Sequence, residues 1–125
     1  MNEKPSVVIA DDNEDLANSL ALCLEVAGFE TSVAYDGLQA VAAARALRPS
    51  AVILDLAMPR LDGYAAAQEI RALLGQDVLM IAHTAWGDDA SRQRTRDSGF
   101  DHHVMKTTDI DVLLHLLAVH KPRFH

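Results

Sequence analysis

Cysteine is nearly absent. Cys23 is the only one in 125 residues, so no internal disulfide can staple the chain. Its helical surroundings make it a core thiol rather than a reactive one. Long apolar runs are absent too: none approaches the ~20 residues that a membrane-spanning helix needs, so no membrane insertion is expected. The opening Met1-Asn2-Glu3-Lys4-Pro5 lacks the charged-then-apolar pattern of a secretory signal, and the expected location is cytoplasmic. Basic residues are in the minority. Eleven Lys and Arg against 18 Asp and Glu give a formal charge of −7. A general nucleic-acid binder shows the opposite balance, so no direct nucleic-acid contact is expected. There is no linker, internal repeat or low-complexity segment. A chain of this length can bury a core unaided, and it is read as one domain, 1–125.

What the chain does have is a strict alternation. Five apolar runs, Val7 to Ala10, Thr31 to Tyr35, Ala51 to Leu54, Val78 to Ala82 and His102 to Met105, have the length of buried strands. Helical spacing fills the gaps. Leu16, Leu20, Leu24 and Ala27 share a face that ends at Gly28, with Asp12 and Asn13 as N-cap types at its start. Leu38 to Leu47 is alanine-rich and stops before Pro49. Ala66, Ile70, Leu73 and Leu74 precede Gly75. Ile110, Leu113, Leu114 and Leu117 precede Pro122. Strand-helix repeats of this kind build right-handed βαβ units around a parallel sheet, an α/β chain of (βα)5 form with helices on both faces. One segment departs: Asp88 to Ser98 has almost no apolar stripe. It is either a solvated helix held by its own charge pairs or a mobile helix whose Arg92, Arg94 and Arg96 meet an acidic partner.

Carboxylates sit where strands end. Asp11-Asp12 follows the first run and Asp55 follows the third, on the sheet edge where open α/β folds bind ligands. Three acids there repel one another unless a cation joins them. Thr84 follows the fourth strand and Lys106 the fifth. With strands ~4.8 Å apart, all these ends can surround one pocket. A hard cation such as Mg²⁺ takes oxygen ligands, which Asp11, Asp12, Asp55 and the backbone carbonyl of Ala57 can offer. An Asp carboxylate can attack phosphorus, a lysine can neutralise charge developing on phosphoryl oxygens, and the Thr84 hydroxyl can donate to one of them. In Asp55-Leu56-Ala57-Met58-Pro59-Arg60-Leu61-Asp62-Gly63, Pro59 and Gly63 make a constrained turn into the third helix. Strand-end acids are also common N-caps, the plainer use of Asp12.

Taken together, Asp11-Asp12, the Asp55-to-Gly63 motif, Thr84-Ala85 and Lys106 resemble the receiver domains of two-component response regulators, over essentially the whole chain. The resemblance implies a flavodoxin-like, doubly wound sheet in the order 2-1-3-4-5. It implies Asp55 as phosphoacceptor, Mg²⁺ held by Asp11 and Asp12, and Thr84 and Lys106 reading the phosphoryl group. The donor would be a phosphohistidine on a histidine kinase or histidine phosphotransfer protein. The chain would catalyse only its own phosphorylation and dephosphorylation. The surface of the fourth helix, fifth strand and fifth helix would switch, and a homodimer could form through it. The run Gly99-Phe100-Asp101-His102-His103-Val104-Met105-Lys106 looks similar to receivers at the C-terminal ends of hybrid sensor kinases. With little chain left after the fifth helix, a stand-alone regulator and a receiver from a longer protein are both consistent with it.

Two positions depart from the family pattern. Lys106 precedes Thr107 where most receivers have proline in a cis bond, so a trans Lys106-Thr107 bond or a strained cis one is expected. His103 stands where receivers often carry Tyr or Phe, and is read as a filler of that groove or a pH-sensitive switch. Trp86 is read as a lid packed on its loop, or as bulk opposite Ala57 that limits water access to the phosphoryl group. The six histidines offer no chelating pair, since His115 and His120 are five apart. The alternative function is a pseudo-receiver, a constitutive protein-interaction module. A flavin carrier would need a phosphate-cradling loop where the acid pair stands. An Asp phosphatase would need a general acid where Ala57 stands.

Overall fold

The computed structural model describes residues 4–120. Strands and helices alternate: β1 Ser6–Ala10, α1 Glu14–Val26, β2 Glu30–Ala34, α2 Gly37–Leu47, β3 Ala51–Leu54, α3 Gly63–Leu74, β4 Leu79–Thr84, α4 Asp89–Asp97, β5 His102–Met105 and α5 Ile110–Val119. All strand pairs are parallel, in the order β2-β1-β3-β4-β5. The expected doubly wound sheet is thus observed. Successive residues of a strand face opposite ways, and the core divides accordingly. Val8, Ala10, Val52, Leu54, Met80 and Ala82 pack under α2 and α3. Val7, Ile9, Ile53, Ile81 and Val104 pack under α1 and α5.

Three strands differ in extent from their apolar runs: β1 begins one residue earlier, at Ser6. β2 is shifted one residue toward the N-terminus, and β4 starts at Leu79 and runs on to Thr84. The ladder explains β4: it stays paired as far as Thr84↔Met105, beyond the end of its apolar stretch. Every helix has an N-cap side chain accepting from its first turn: Asn13, Asp36, Asp62, Asp88 and Asp109. Much of the acidic excess therefore caps helices. Asn13, not Asp12, caps α1, which leaves Asp12 outside that role. Cys23 is exposed, contrary to expectation. The buried stripe of α1 runs through Ala17, Leu20, Ala21 and Leu24, and residue 23 falls off its edge. At the far end His120 caps α5, its Nε2 3.0 Å from the Asp77 carbonyl. The expected stop at Pro122 lies outside the described residues.

α4 buries only Thr95. Its arginines are engaged within the chain. Arg92 donates to the Gly87 carbonyl, Arg94 stacks 3.9 Å over the Tyr64 ring, and Arg96 donates to Gln93. α4 is a solvated helix tied to the loop before it and to α3 by Arg92 and Arg94 rather than held by its own charge pairs. A further arginine, Arg71 on α3, ties the end of the sheet opposite the site. It donates to the carbonyls of Gly75, Val78 and Gly99 and pairs with Asp101 at 3.1 Å.

Candidate functional site

The parallel register brings the C-terminal strand ends level. Ala10 is paired with Leu54 and Leu54 with Ala82, so Asp11 and Asp55 emerge side by side. The ladder continues one step past the strands, with Asp55 N–H donating to the Ala10 carbonyl at 2.9 Å and Lys106 N–H to the Thr84 carbonyl at 2.7 Å. Backbone hydrogen bonds thus place all four groups before any side-chain contact is made.

Lys106 closes the site. Its Nζ lies 2.9 Å from Asp11 Oδ2 and 3.3 Å from Asp55 Oδ2. Asp12 is exposed beside them, and one carboxylate oxygen from each of Asp11, Asp12 and Asp55 lies within 4.8 Å of the others. Asp11 Oδ1 is occupied by the Asn13 N–H at 2.9 Å, and Asp55 Oδ1 faces the Ala57 N–H at a long 3.4 Å. Thr84 is buried at 1% exposure, and its Oγ1 accepts from the Trp86 N–H at 3.1 Å.

The electrostatics show how hard three acids are to hold together. Burial, and then the charge of Asp11, push the Asp55 carboxyl up from 3.8 to about 6, against the opposing pull of Lys106. Burial disfavours the Lys106 ammonium, but its hydrogen bond to Asp11 and the charges of Asp55 and Asp11 outweigh that and raise it. Burial, followed by Lys106, lowers His83, which is buried just before Thr84. A carboxylate cluster with one lysine and raised affinity for a proton is deficient in positive charge. All its donors are hard oxygens, the set that suits a small divalent cation.

Two glycines hold the Asp55 loop at backbone distance. A Cβ on Gly63 would meet the Asp55 carbonyl oxygen at 2.2 Å, and one on Gly37 would meet the Leu61 carbonyl oxygen at 1.8 Å. The loop is pinned from α3 on one side and α2 on the other. Sequence reading gave Gly63 a turn role and did not single out Gly37, because close approach between distant backbones leaves no local pattern.

The remaining expected residues, Trp86 and His103, are tied to Thr84 and α4 rather than to the acids. Trp86 is 45% exposed, not a buried lid, and lines a shallow hollow with Tyr64, Asp88, Ala90, Ser91 and Arg94. Neither Asp55 nor Ala57 lines that hollow. His103 bridges the Trp86 carbonyl and the Thr95 hydroxyl. His83 and Thr95 were not singled out from sequence. His83 interrupts an apolar strand one residue before Thr84, a signal that was there to be read. The Lys106-Thr107 bond is trans, the described chain having no cis peptide.

A doubly wound sheet with a lysine-bridged acid cluster at its switch edge is an open α/β module with its ligand site at the carboxyl ends of the strands. The chain belongs to the response regulator receiver domain family, which matches residues 7–118. It is a signalling domain of two-component systems rather than a conventional enzyme. Among curated proteins it is similar to the DNA-binding dual master transcriptional regulator RpaA of Synechocystis, 31% identical over 88% of this chain and 46% of RpaA. It is also similar to the DNA-binding response regulator MtrA of Mycobacterium tuberculosis, 37% identical over 80% of this chain and 43% of MtrA. The chain therefore spans less than half the length of these relatives. Two solved structures are close in shape. The receiver domain of Francisella response regulator 1452 is 26% identical, with a TM-score of 0.85 over 93% of this chain and 95% of that one. The receiver domain of the sensor histidine kinase PA1611 of Pseudomonas aeruginosa is 28% identical, with a TM-score of 0.85 over 94% and 98%, and holds a magnesium ion in its active-site cleft.

Proposed function

We propose that Asp55 accepts a phosphoryl group from a phosphohistidine on a histidine kinase or histidine phosphotransfer protein. The observation that carries this reading is Lys106 bridging Asp11 and Asp55 at 2.9 and 3.3 Å beside buried Thr84. An Asp55 carboxylate oxygen bonds to phosphorus as the phosphorus–nitrogen bond of the donor breaks, and the electron pair returns to the donor imidazole. Asp11, Asp12, Asp55 and the Ala57 carbonyl would hold Mg²⁺, which supplies positive charge against the phosphoryl oxygens when bound. Lys106 stays within reach of the group that Asp55 acquires. Thr84 turns its hydroxyl toward a phosphoryl oxygen.

The change is relayed to the face formed by α4, β5 and α5. Support comes from α4 itself, which buries a single side chain and is otherwise held by surface contacts of Arg92 and Arg94, so it can shift at small cost. That face is also where a homodimer would form. Trp86 is the proposed gate on water access to the phosphoryl group, acting through the loop that its N–H bond to Thr84 Oγ1 ties down rather than as a cover over Asp55. A cytoplasmic location follows from kinase partnership.

A gel-mobility shift of the phosphoprotein with acetyl phosphate and Mg²⁺, lost on chelation and in Asp55→Asn, is the expected result. No modification under any phosphodonor would favour the pseudo-receiver. Against that alternative, Lys106 reaches both acids even though a trans bond follows it.

A further inference from the structure

The hydrogen bonds around His103 constrain its protonation. Nε2 lies 2.6 Å from the Trp86 carbonyl oxygen, and a carbonyl only accepts, so Nε2 carries a proton. Nδ1 lies 3.1 Å from Thr95 Oγ1. The Thr95 hydroxyl has one proton, and Oγ1 donates it to the Arg92 carbonyl at 2.8 Å. With that proton spent, Nδ1 must donate as well. All three contacts are satisfied together only when both ring nitrogens are protonated. A neutral ring keeps the Trp86 bond but must either draw the Thr95 proton away from Arg92 or lose Thr95.

The ends of this bridge give it reach. Thr95 is the one buried residue of α4. Trp86 is held at its other end by Thr84, whose Oγ1 accepts its N–H at 3.1 Å. A continuous path runs from the site hydroxyl through the Trp86 peptide and the His103 ring to α4. Among the described residues, the charged groups tied to this network are Asp88 and Arg92. Asp88, the α4 N-cap, has its carboxyl lowered chiefly by hydrogen bonds from Ser91 and in small part by His103. Arg92, on α4, is bonded to the Gly87 carbonyl next to Trp86. On β4 the register partner is the uncharged Ala82. The two are of opposite sign, and the constraint on the ring comes from its hydrogen bonds.

We propose that His103 is a proton-operated latch: its doubly protonated ring holds the loop after β4 to α4 and opposes the rearrangement of Thr84 that phosphorylation demands. The proposal rests on the reading of Asp55 as phosphoacceptor and Thr84 as its reader. Linkage is reciprocal. The proton favours the latched arrangement, and an occupied Asp55 must weaken His103's hold on its proton. Acid then damps the switch, and His103, a positioning residue, makes its threshold depend on pH.

The test is an NMR titration of the His103 ring in the full chain. In Thr95→Val the ring loses the acceptor for Nδ1, and its midpoint should fall by about half a pH unit or more. This arm needs no phosphorylation, and an unchanged midpoint overturns the latch by itself. With beryllofluoride and Mg²⁺ as phosphoryl stand-in, the wild-type midpoint should also fall by about half a unit, with no change in Asp55→Asn. Beryllofluoride seen bound at Asp55 by fluorine NMR, with the His103 midpoint unmoved, overturns the latch and leaves the acceptor reading intact. Beryllofluoride that fails to bind overturns both. In His103→Gln, the pH dependence of switching from this ring should vanish while modification by acetyl phosphate persists.

Discussion

Replacing Asp55 by Asn should stabilise the metal-free protein at neutral pH, although it destroys the proposed acceptor. The buried carboxyl titrates near 6 in the folded chain, against 3.8 without its surroundings, because burial and Asp11 both oppose its charge. A raised carboxylate reverses the usual acid behaviour. Between about pH 4 and pH 6 the folded state binds more protons than the unfolded one, so stability falls as pH rises, and it levels off above the folded value. Roughly two pH units correspond to about 3 kcal/mol as a ceiling. The amide still faces the Ala57 N–H and leaves Lys106 paired with Asp11, but it gives up the Lys106–Asp55 pair. We therefore expect a gain of about 1–2 kcal/mol at pH 7.5, or roughly 4–8 °C in Tm. Urea or thermal unfolding in EDTA measures it. The gap should shrink toward zero at pH 4, where both side chains are uncharged. Millimolar Mg²⁺ should close it from the other side by stabilising the wild type more. Asp55→Asn less stable than wild type in EDTA at pH 7.5, or a gap unchanged between pH 4 and 7.5, would falsify the account of the site as short of positive charge.

Three further outcomes follow from particular contacts. Arg71→Ala removes the donors to three carbonyls and a pair with Asp101 at the end of the sheet opposite the site; a loss of about 3 kcal/mol is expected in denaturant unfolding, and Arg71→Lys should recover under half of it. Gly63→Ala drives a methyl to within 2.2 Å of the Asp55 carbonyl oxygen. It should cost about 3 kcal/mol and slow labelling by acetyl phosphate, whereas Gly28→Ala, which meets nothing within 4 Å, should cost only the ~1–2 kcal/mol of its positive φ. Equal losses at both glycines would refute the pinned-loop argument. Trp86→Ala should shorten the phosphoprotein lifetime with little effect on stability, as suits a ring that is 45% exposed; a lifetime equal to wild type removes Trp86 from any gating role.

The architecture was readable because burial and periodicity report on each other. A strand buried on both faces must be an apolar run, and the runs ending in Asp11 and Asp55 became β1 and β3 with their expected C-terminal ends. The acids, Thr84 and Lys106 were readable for a related reason: a residue at the end of a strand or just past it is placed by the ladder, whatever its side chain does. Legibility failed where position depends on how elements meet. Cys23 lies one step off the buried stripe of α1, a rotation smaller than helical spacing can resolve. The size of Trp86 suggested a packed lid or bulk opposite Ala57, but the residue is 45% exposed and lines a hollow with Tyr64 and Arg94 that Ala57 does not share. Thr95 carries no sign of its importance, because its value comes from His103 across a strand-helix gap.

The trans bond after Lys106 shows which departures from a family pattern matter. A proline there would fix the peptide that follows the lysine, so its absence invites doubt about the lysine. The lysine, however, is placed from the other side. Its own N–H is bonded to the Thr84 carbonyl at 2.7 Å, as the last rung of a ladder that begins at Ile81↔His102. The Cα is therefore fixed by β4, and a four-carbon stem spans the rest to Asp11 and Asp55. What the peptide after Lys106 steers is the chain beyond it: the turn closed by Thr108 N–H on the Met105 carbonyl, and Asp109 capping α5. The substitution thus acts on the entry to α5, part of the face proposed to switch, and leaves the charge balance at Asp55 to the strands.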